Sequence, residues 1–406
     1  MDTLYASVGT ALKMTKSQST NHPMIIPVTA AAASYYAFVG PSETSEKVVS
    51  GHSSDNLIRH AWGMVSLPVV KNISLQASRL LKGAAIAERI TIGGVSCFVL
   101  SKDSCPALSL AIKRSRRQQK RLSLGTIPED ESSFQINRRA INLHDYPEKD
   151  VIFHLTGGGF FAHTLAGDIP YLLDWSKSTS AVVICPEYSL LPEHPFPVAI
   201  EEVTNVYMTL LNEEVTQILG FRTKHIIVTG ESTGGNLAAS LCVKLCMDEQ
   251  VFRVSSSTQF GTFQNIRLPD AMMLCCPALN LSSSCTPSRI IARDAVLPSA
   301  LLKTISKAYL QDHPSTDPIA SPFFAPDWVL SLFPPVLLFV SDSDPCTDDS
   351  VGLHSRLINV GVDSDLRAAH SLPHAYWGLG TAGFPEAQKM QSECQVWMKK
   401  HLIENV

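Results

Sequence analysis

Gly230-Glu231-Ser232-Thr233-Gly234 spells G-x-S-x-G, a spacing that can turn an ordinary serine into a nucleophile. A serine hydroxyl attacks poorly until a base takes its proton and fixed donors accept the negative charge its attack creates. Small residues on both sides of Ser232 permit a tight, strained turn that holds the hydroxyl clear of the chain. Such a serine suits acyl transfer, and with water as the final acceptor it cleaves esters.

The motif lies between two segments able to position it. His225-Ile226-Ile227-Val228-Thr229 is short, apolar and β-branched, as a buried strand is. Gly235-Asn236-Leu237-Ala238-Ala239 opens a helix-compatible stretch reaching about Met247. A helix starting there directs free N–H groups and a positive dipole end at the developing charge. Upstream, Val151-Ile152-Phe153-His154 reads as another buried strand, followed by Thr156-Gly157-Gly158-Gly159-Phe160-Phe161. Consecutive glycines after a strand let the backbone approach a substrate closely and turn its N–H groups to one point. The plainer reading of that segment alone is a flexible loop.

An acid and a base follow in the chain. Pro335-Val336-Leu337-Leu338-Phe339-Val340-Ser341 is strand-like and ends in Asp342-Ser343-Asp344-Pro345. A further strand-like stretch, Ser364 to Ala369, leads to Ser371-Leu372-Pro373-His374-Ala375-Tyr376-Trp377. Asp342, Asp344 and Asp348 compete for the acid, with the Asp-Pro placement favouring Asp344. His370 is the nearest rival to His374, but it sits in or just after the strand-like run. The order Ser, Asp, His is the one α/β-hydrolases use. In that scheme Ser232 attacks, His374 takes its proton and returns it to the leaving alcohol, and an aspartate holds the imidazole in the required tautomer.

Taken together, these segments resemble the hormone-sensitive-lipase family of α/β-hydrolases, from about residue 150 to the C-terminus. The resemblance rests on the glycine loop Thr156–Phe160, on Pro186-Glu187-Tyr188-Ser189-Leu190-Leu191-Pro192-Glu193-His194-Pro195-Phe196-Pro197, on the elbow with Gly235 and Asn236 behind it, on Asp344-Pro345, and on Pro373-His374. Asp348-Asp349-Ser350 and Ser321-Pro322-Phe323-Phe324-Ala325-Pro326-Asp327 echo the C-terminal half of eukaryotic members. The resemblance implies Ser232 as nucleophile, Asp344 as acid and His374 as base, with the N–H groups of Gly158, Gly159 and Thr233 as the oxyanion hole. Thr156 stands where the family usually has His, Glu231 where it has Asp, Thr233 where it has Ala, and Ala375-Tyr376 where it has Gly-Phe. None of these removes a reacting group.

The expected fold is therefore an α/β-hydrolase: a mostly parallel central sheet flanked by helices, with Arg89 to Ser101 forming one or two opening strands. Residues 1–90, with helical patterns at 56–64 and 73–87, are expected to form an N-terminal cap segment on a catalytic domain spanning 91–406. An independent helical module is the alternative. Residues 282–331 form an insert before the acid strand that is long enough for a second cap piece. Residues 201–219 read as a helix and 251–265 as a loop.

Composition narrows the rest. A chain of 406 residues with 45% hydrophobic content can bury a sizeable core. A net charge of −4 with 17% charged residues gives no argument for nucleic-acid binding. The ten cysteines show no metal-binding spacing, so neither a metal nor an organic cofactor is expected. With no secretory signal read at the start, reduced thiols and a cytoplasmic location are expected, with peripheral contact to membranes or lipid droplets left open. Met24 to Val39 is too short and interrupted for a membrane span.

The reading is a serine carboxylic-ester hydrolase acting on lipophilic esters. A small-ester esterase or deacetylase is the alternative with the same triad. A catalytically inactive binding protein of this fold is the alternative from another class, which the presence of His374 opposes. The basic run 113–121 and Ser123, after Lys120-Arg121, match what basophilic kinases accept. A solvated loop without a regulatory role is the preferred account of that segment.

Overall fold

The computed structural model describes residues 85–103, 146–255, 267–294 and 296–403. The N-terminal segment up to residue 84, the basic run with Ser123, and residues 256–265 lie outside the described residues.

Among the described residues, eight strands form one sheet: β1 (Ile86–Ile92), β2 (Val95–Ser101), β3 (Glu148–Leu155), β4 (Val182–Pro186), β5 (Arg222–Glu231), β6 (Ala271–Cys275), β7 (Val336–Ser341) and β8 (Ser364–Ala369). Their spatial order is β1-β2-β4-β3-β5-β6-β7-β8. The hairpin β1–β2 joins antiparallel to β4, and every pairing from β4 to β8 is parallel. Strand residues alternate between two cores. Val151, Phe153, Ile226, Val228, Met272, Leu274, Val336 and Leu338 face one. Ile152, Ile227, Met273, Leu337 and Phe339 face the other. A sheet buried on both faces must be apolar on both, which is why these runs read as continuous hydrophobic segments.

Helices α1 (Leu165–Thr179), α9 (Trp377–Thr381) and α10 (Pro385–Ile403) pack on one face. Helices α2 (Val198–Leu210), α4 (Thr233–Ser255), α6 (Ser299–Leu310) and α8 (Thr347–Asn359) pack on the other. Short helices α3 (Glu213–Leu219), α5 (Pro287–Ile291) and α7 (Asp327–Leu330) lie between them in the chain. The insert between β6 and β7 holds α5, α6 and α7.

Three local expectations change. Residues 86 and 87, at the end of a helical pattern, belong to β1, where Ile86 and Ala87 pair with Ser101 and Leu100; sheet pairing overrides the local pattern. Residues 201–219 form two helices rather than one. They break at Leu211-Asn212, and Asn favours helix ends because its side chain competes for backbone hydrogen bonds. Helix α4 continues past Met247 to Ser255, taking in the start of the expected loop. No Gly or Pro stands between Gly235 and Gly261 to end it sooner.

Parallel strands place their carboxyl ends along one edge, and the loops that follow converge there. The glycine loop after β3, Ser232 after β5, Asp344 after β7 and His374 after β8 are thus brought together from segments far apart in the chain.

Candidate active site

Ser232 sits between β5 and α4 in the left-handed backbone region, at φ +58°. A non-glycine residue there is strained and persists only when its surroundings hold it. Its N–H donates to the Cys275 carbonyl at 2.9 Å, and its carbonyl accepts from the N–H groups of Asn236 and Ala278, each at 3.1 Å. The Asn236 amide donates to the carbonyls of Ala278 and Ala320 at 2.9 and 2.8 Å. A Cβ on Gly234 would lie 2.0 Å from the Leu155 carbonyl oxygen, so the elbow packs against β3 only because that residue has none.

His374 Nε2 lies 2.7 Å from Ser232 Oγ, and its Nδ1 lies 2.9 Å from Asp344 Oδ1. All three side chains are buried. A carboxylate only accepts, so Nδ1 carries the proton and Nε2 is left free to accept from the serine. Asp344 Oδ1 is held by the Cys346 N–H at 3.0 Å. Burial alone would push the imidazole towards its neutral form. The charge and hydrogen bond of Asp344, then the charges of Asp294 and Glu231, outweigh it and raise the pKa.

The rival residues are elsewhere. His370 pairs with Asp342 at 3.3 Å, with side chains 79% and 50% exposed. Asp348 accepts from the Ser288 N–H at 2.7 Å.

The glycine loop is a tight turn in which the Gly158 carbonyl accepts from the N–H groups of Phe161 and Ala162. Gly158 has φ +123°, and a Cβ there would lie 2.1 Å from the Ala162 carbonyl oxygen. Among the described residues, the N–H groups of Gly158, Gly159 and Thr233 donate to nothing, which is the condition in which they can serve an incoming oxyanion.

Thr156, the departure before the glycines, belongs to a closed ring of bonds. The Tyr188 hydroxyl donates to the Thr156 carbonyl at 2.8 Å. His163 Nε2 is 3.0 Å from the Tyr188 carbonyl, and its Nδ1 is 3.1 Å from Thr156 Oγ1. A carbonyl only accepts, so Nε2 carries the proton and Nδ1 accepts from the threonine hydroxyl. The loop is therefore braced by Thr156, His163 and Tyr188. His163 is seven residues from Thr156 and carried no motif of its own, so the sequence offered no signal for it.

Two further carboxyl groups border the histidine loop. Glu231 Oε1 accepts from the Trp377 N–H at 3.0 Å. Its burial, with the charge of Asp168, pushes its pKa up to about 8. Asp294 Oδ2 accepts from the His374 N–H at 2.6 Å. Neither contact has a signal in the sequence, because each carboxyl group bonds to a backbone group distant in the chain.

Among the described residues, one trio has ligand atoms close enough for a metal: Cys276, Asp344 and His374, all within 4.8 Å. Two of them already form the Ser-His-Asp chain, so a cation there would compete with it. The described cysteines are free, and apart from exposed Cys285 they are buried. No described helix is long and apolar enough to cross a membrane.

A family profile described as the α/β hydrolase fold matches residues 151–378. The chain is 30% identical over 244 residues to an esterase from Acinetobacter venetianus, covering 59% of this chain and 71% of that one. It is 32% identical over 172 residues to the hormone-sensitive lipase of Bos taurus, covering 41% of this chain. It spans 20% of that lipase's length. Among solved structures, carboxyl esterase 2 of Tuber melanosporum superposes with a TM-score of 0.59 at 18% identity, over 78% of this chain and 85% of that one. An esterase from the bacterial hormone-sensitive lipase family gives a TM-score of 0.57 at 18% identity, over 89% and 99%.

Proposed function

The chain belongs to the hormone-sensitive-lipase family of α/β-hydrolases, and from that premise we propose that it is a serine carboxylic-ester hydrolase acting on lipophilic acyl esters. The observation that carries this reading is the continuous chain Ser232 Oγ, His374 Nε2, His374 Nδ1, Asp344 Oδ1, with distances of 2.7 and 2.9 Å. It opens beside three N–H groups without acceptors among the described residues.

In this mechanism Ser232 Oγ forms a bond to the ester carbonyl carbon while its proton passes to His374 Nε2. The carbonyl oxygen becomes an oxyanion, which the N–H groups of Gly158, Gly159 and Thr233 stabilise. Collapse breaks the bond to the alcohol oxygen, which leaves with the proton from Nε2. Water then attacks the acyl-serine, losing its proton to Nε2. Collapse of the second tetrahedral intermediate returns that proton to Ser232 and frees the acid. Asp344 stabilises the imidazolium at both stages without taking its proton.

Preference for lipophilic esters rests on the likeness to hormone-sensitive lipase, and the insert packs a buried aromatic cluster beside the glycine loop. Phe160 stacks on Tyr309 of α6 with centroids 3.6 Å apart, and Phe196 meets Tyr309 at 5.7 Å. The reading includes a peripheral contact with a membrane or lipid droplet when the substrate resides there. A panel of p-nitrophenyl esters from acetate to palmitate, with monoacyl- and diacylglycerols, tests it. We expect kcat/KM to rise beyond acetate. Turnover of acetyl esters alone would replace this reading with that of a small-ester esterase or deacetylase, and no turnover of any ester would favour a binding protein.

Gly158→Ala should cut kcat by about a hundred- to a thousandfold, the usual cost of losing an oxyanion donor. The added methyl cannot fit beside Ala162 at a positive φ, so the loop must move. Turnover of folded variant at the wild-type rate would place the oxyanion elsewhere.

A further inference from the structure

Asp294 is a buried carboxylate in the insert, between α5 and α6. Its Oδ2 accepts from the His374 backbone N–H at 2.6 Å. Its Oδ1 accepts from the N–H groups of Val296 and Leu297, both at 2.7 Å. These two residues lie just before Pro298 and the start of α6. One side chain thus joins the histidine loop to the root of the insert helix. The far end of the same helix carries Tyr309, stacked on Phe160 of the glycine loop. The insert grips both halves of the reaction centre, one by a carboxylate and the other by a ring.

We infer that Asp294 is the positioning residue that holds the His374 loop in register with the insert, so that the imidazole meets Ser232 only while the insert is seated. This rests on the ester-hydrolase reading and deepens it. The geometry demands a carboxylate. Three backbone N–H groups point at two oxygens, and a carboxylate is acceptor-only at both. An amide presents an oxygen to one side and an NH₂ to the other, so Asn in either orientation sets a donor against a donor. Leaving such a buried donor unpaired is costly.

Asp294 also lies among the groups whose charge acts on His374, with Asp344 and Glu231, and with the Cys276 thiol nearby. A base must be neutral to act, so the acid limb of the rate profile follows the imidazole pKa. Carboxylates favour the imidazolium, and removing one lowers that pKa. The acid limb then moves to lower pH, whereas a purely structural loss lowers the rate without moving the limb.

The test compares wild type, Asp294→Asn and Asp294→Ala, the last removing the carboxylate without introducing an amide N–H. Each is checked for folding by its thermal melt. Turnover of a p-nitrophenyl ester is measured against pH, and the His374 ring nitrogens are titrated by NMR, with His374→Gln for assignment. We expect kcat to fall about ten- to a hundredfold, the scale set by small misplacements of a catalytic group, with KM changing less. The acid limb and the His374 titration should both move to lower pH. Folded variants with unchanged kcat and titration overturn the inference, as does a lower rate with an unmoved titration. If both variants fail to fold, Asp294 is a fold determinant and the inference also fails. If wild type hydrolyses no ester but the His374 titration still shifts, the ester-hydrolase reading fails while the contact between Asp294 and His374 stands.

Discussion

Ser232→Ala should abolish covalent labelling by a fluorophosphonate and lower ester turnover by about a millionfold, to the level left by binding and the oxyanion donors. The effect is this large because the residue supplies the atom that forms the new bond, and no other described hydroxyl lies against His374 Nε2. The substitution is mild structurally. The elbow is held by the backbone N–H and carbonyl of residue 232, which alanine retains, although alanine at φ +58° bears the same strain as the serine. Intact-mass measurement after labelling, with a thermal melt alongside, checks it. Full labelling of folded alanine variant would mean that another serine reacts.

Asp344→Asn should lower kcat by about ten-thousandfold with little change in KM. Asp344 Oδ1 accepts both from His374 Nδ1 and from the Cys346 N–H. With the amide oxygen in that place both bonds are kept, but the imidazolium formed during turnover loses the negative charge that stabilises it. With the NH₂ there, Nδ1 becomes an acceptor and the imidazole proton moves to Nε2, which can no longer take the proton of Ser232. Asp342→Asn is the control. That carboxylate is half exposed and pairs with His370 at the surface, so turnover should change by less than about twofold. A crippling effect at residue 342 with a nearly silent one at 344 would reassign the acid.

Much of this protein is legible in its sequence because the signals are local. The strand runs at residues 151–153, 226–228 and 336–340 are apolar at every position, since a parallel sheet with helices on both faces leaves none exposed. The elbow needs small residues at Gly230 and Gly234, for neither has room for a Cβ. The chain order Ser, Asp, His follows from the order in which parallel strands deliver their carboxyl ends to one edge. Family, fold class and the nature of the chemistry come from such features. Element ends were less legible. The extent of α4 depended on the absence of a breaker, and the end of the expected helix at residue 87 was claimed by strand pairing with β2.

Residue type alone does not say which of several equivalent side chains meet, although motif position favours Asp344 over Asp342 and His374 over His370. Asp342 and Asp344 are two residues apart, and His370 and His374 four. Composition treats each pair alike, but the fold turns Asp342 and His370 to solvent and buries Asp344 and His374 against Ser232. His163 and Asp294 are less legible still. Each answers a backbone donor or acceptor that appears only once the chain has folded, and sequence patterns do not record where an unpaired carbonyl or N–H will end up. Residue types and order were therefore determined locally. The partners of His374, the brace behind the glycine loop and the tie from the insert were decided by long-range packing, because a buried polar group takes whichever partner the fold brings within reach.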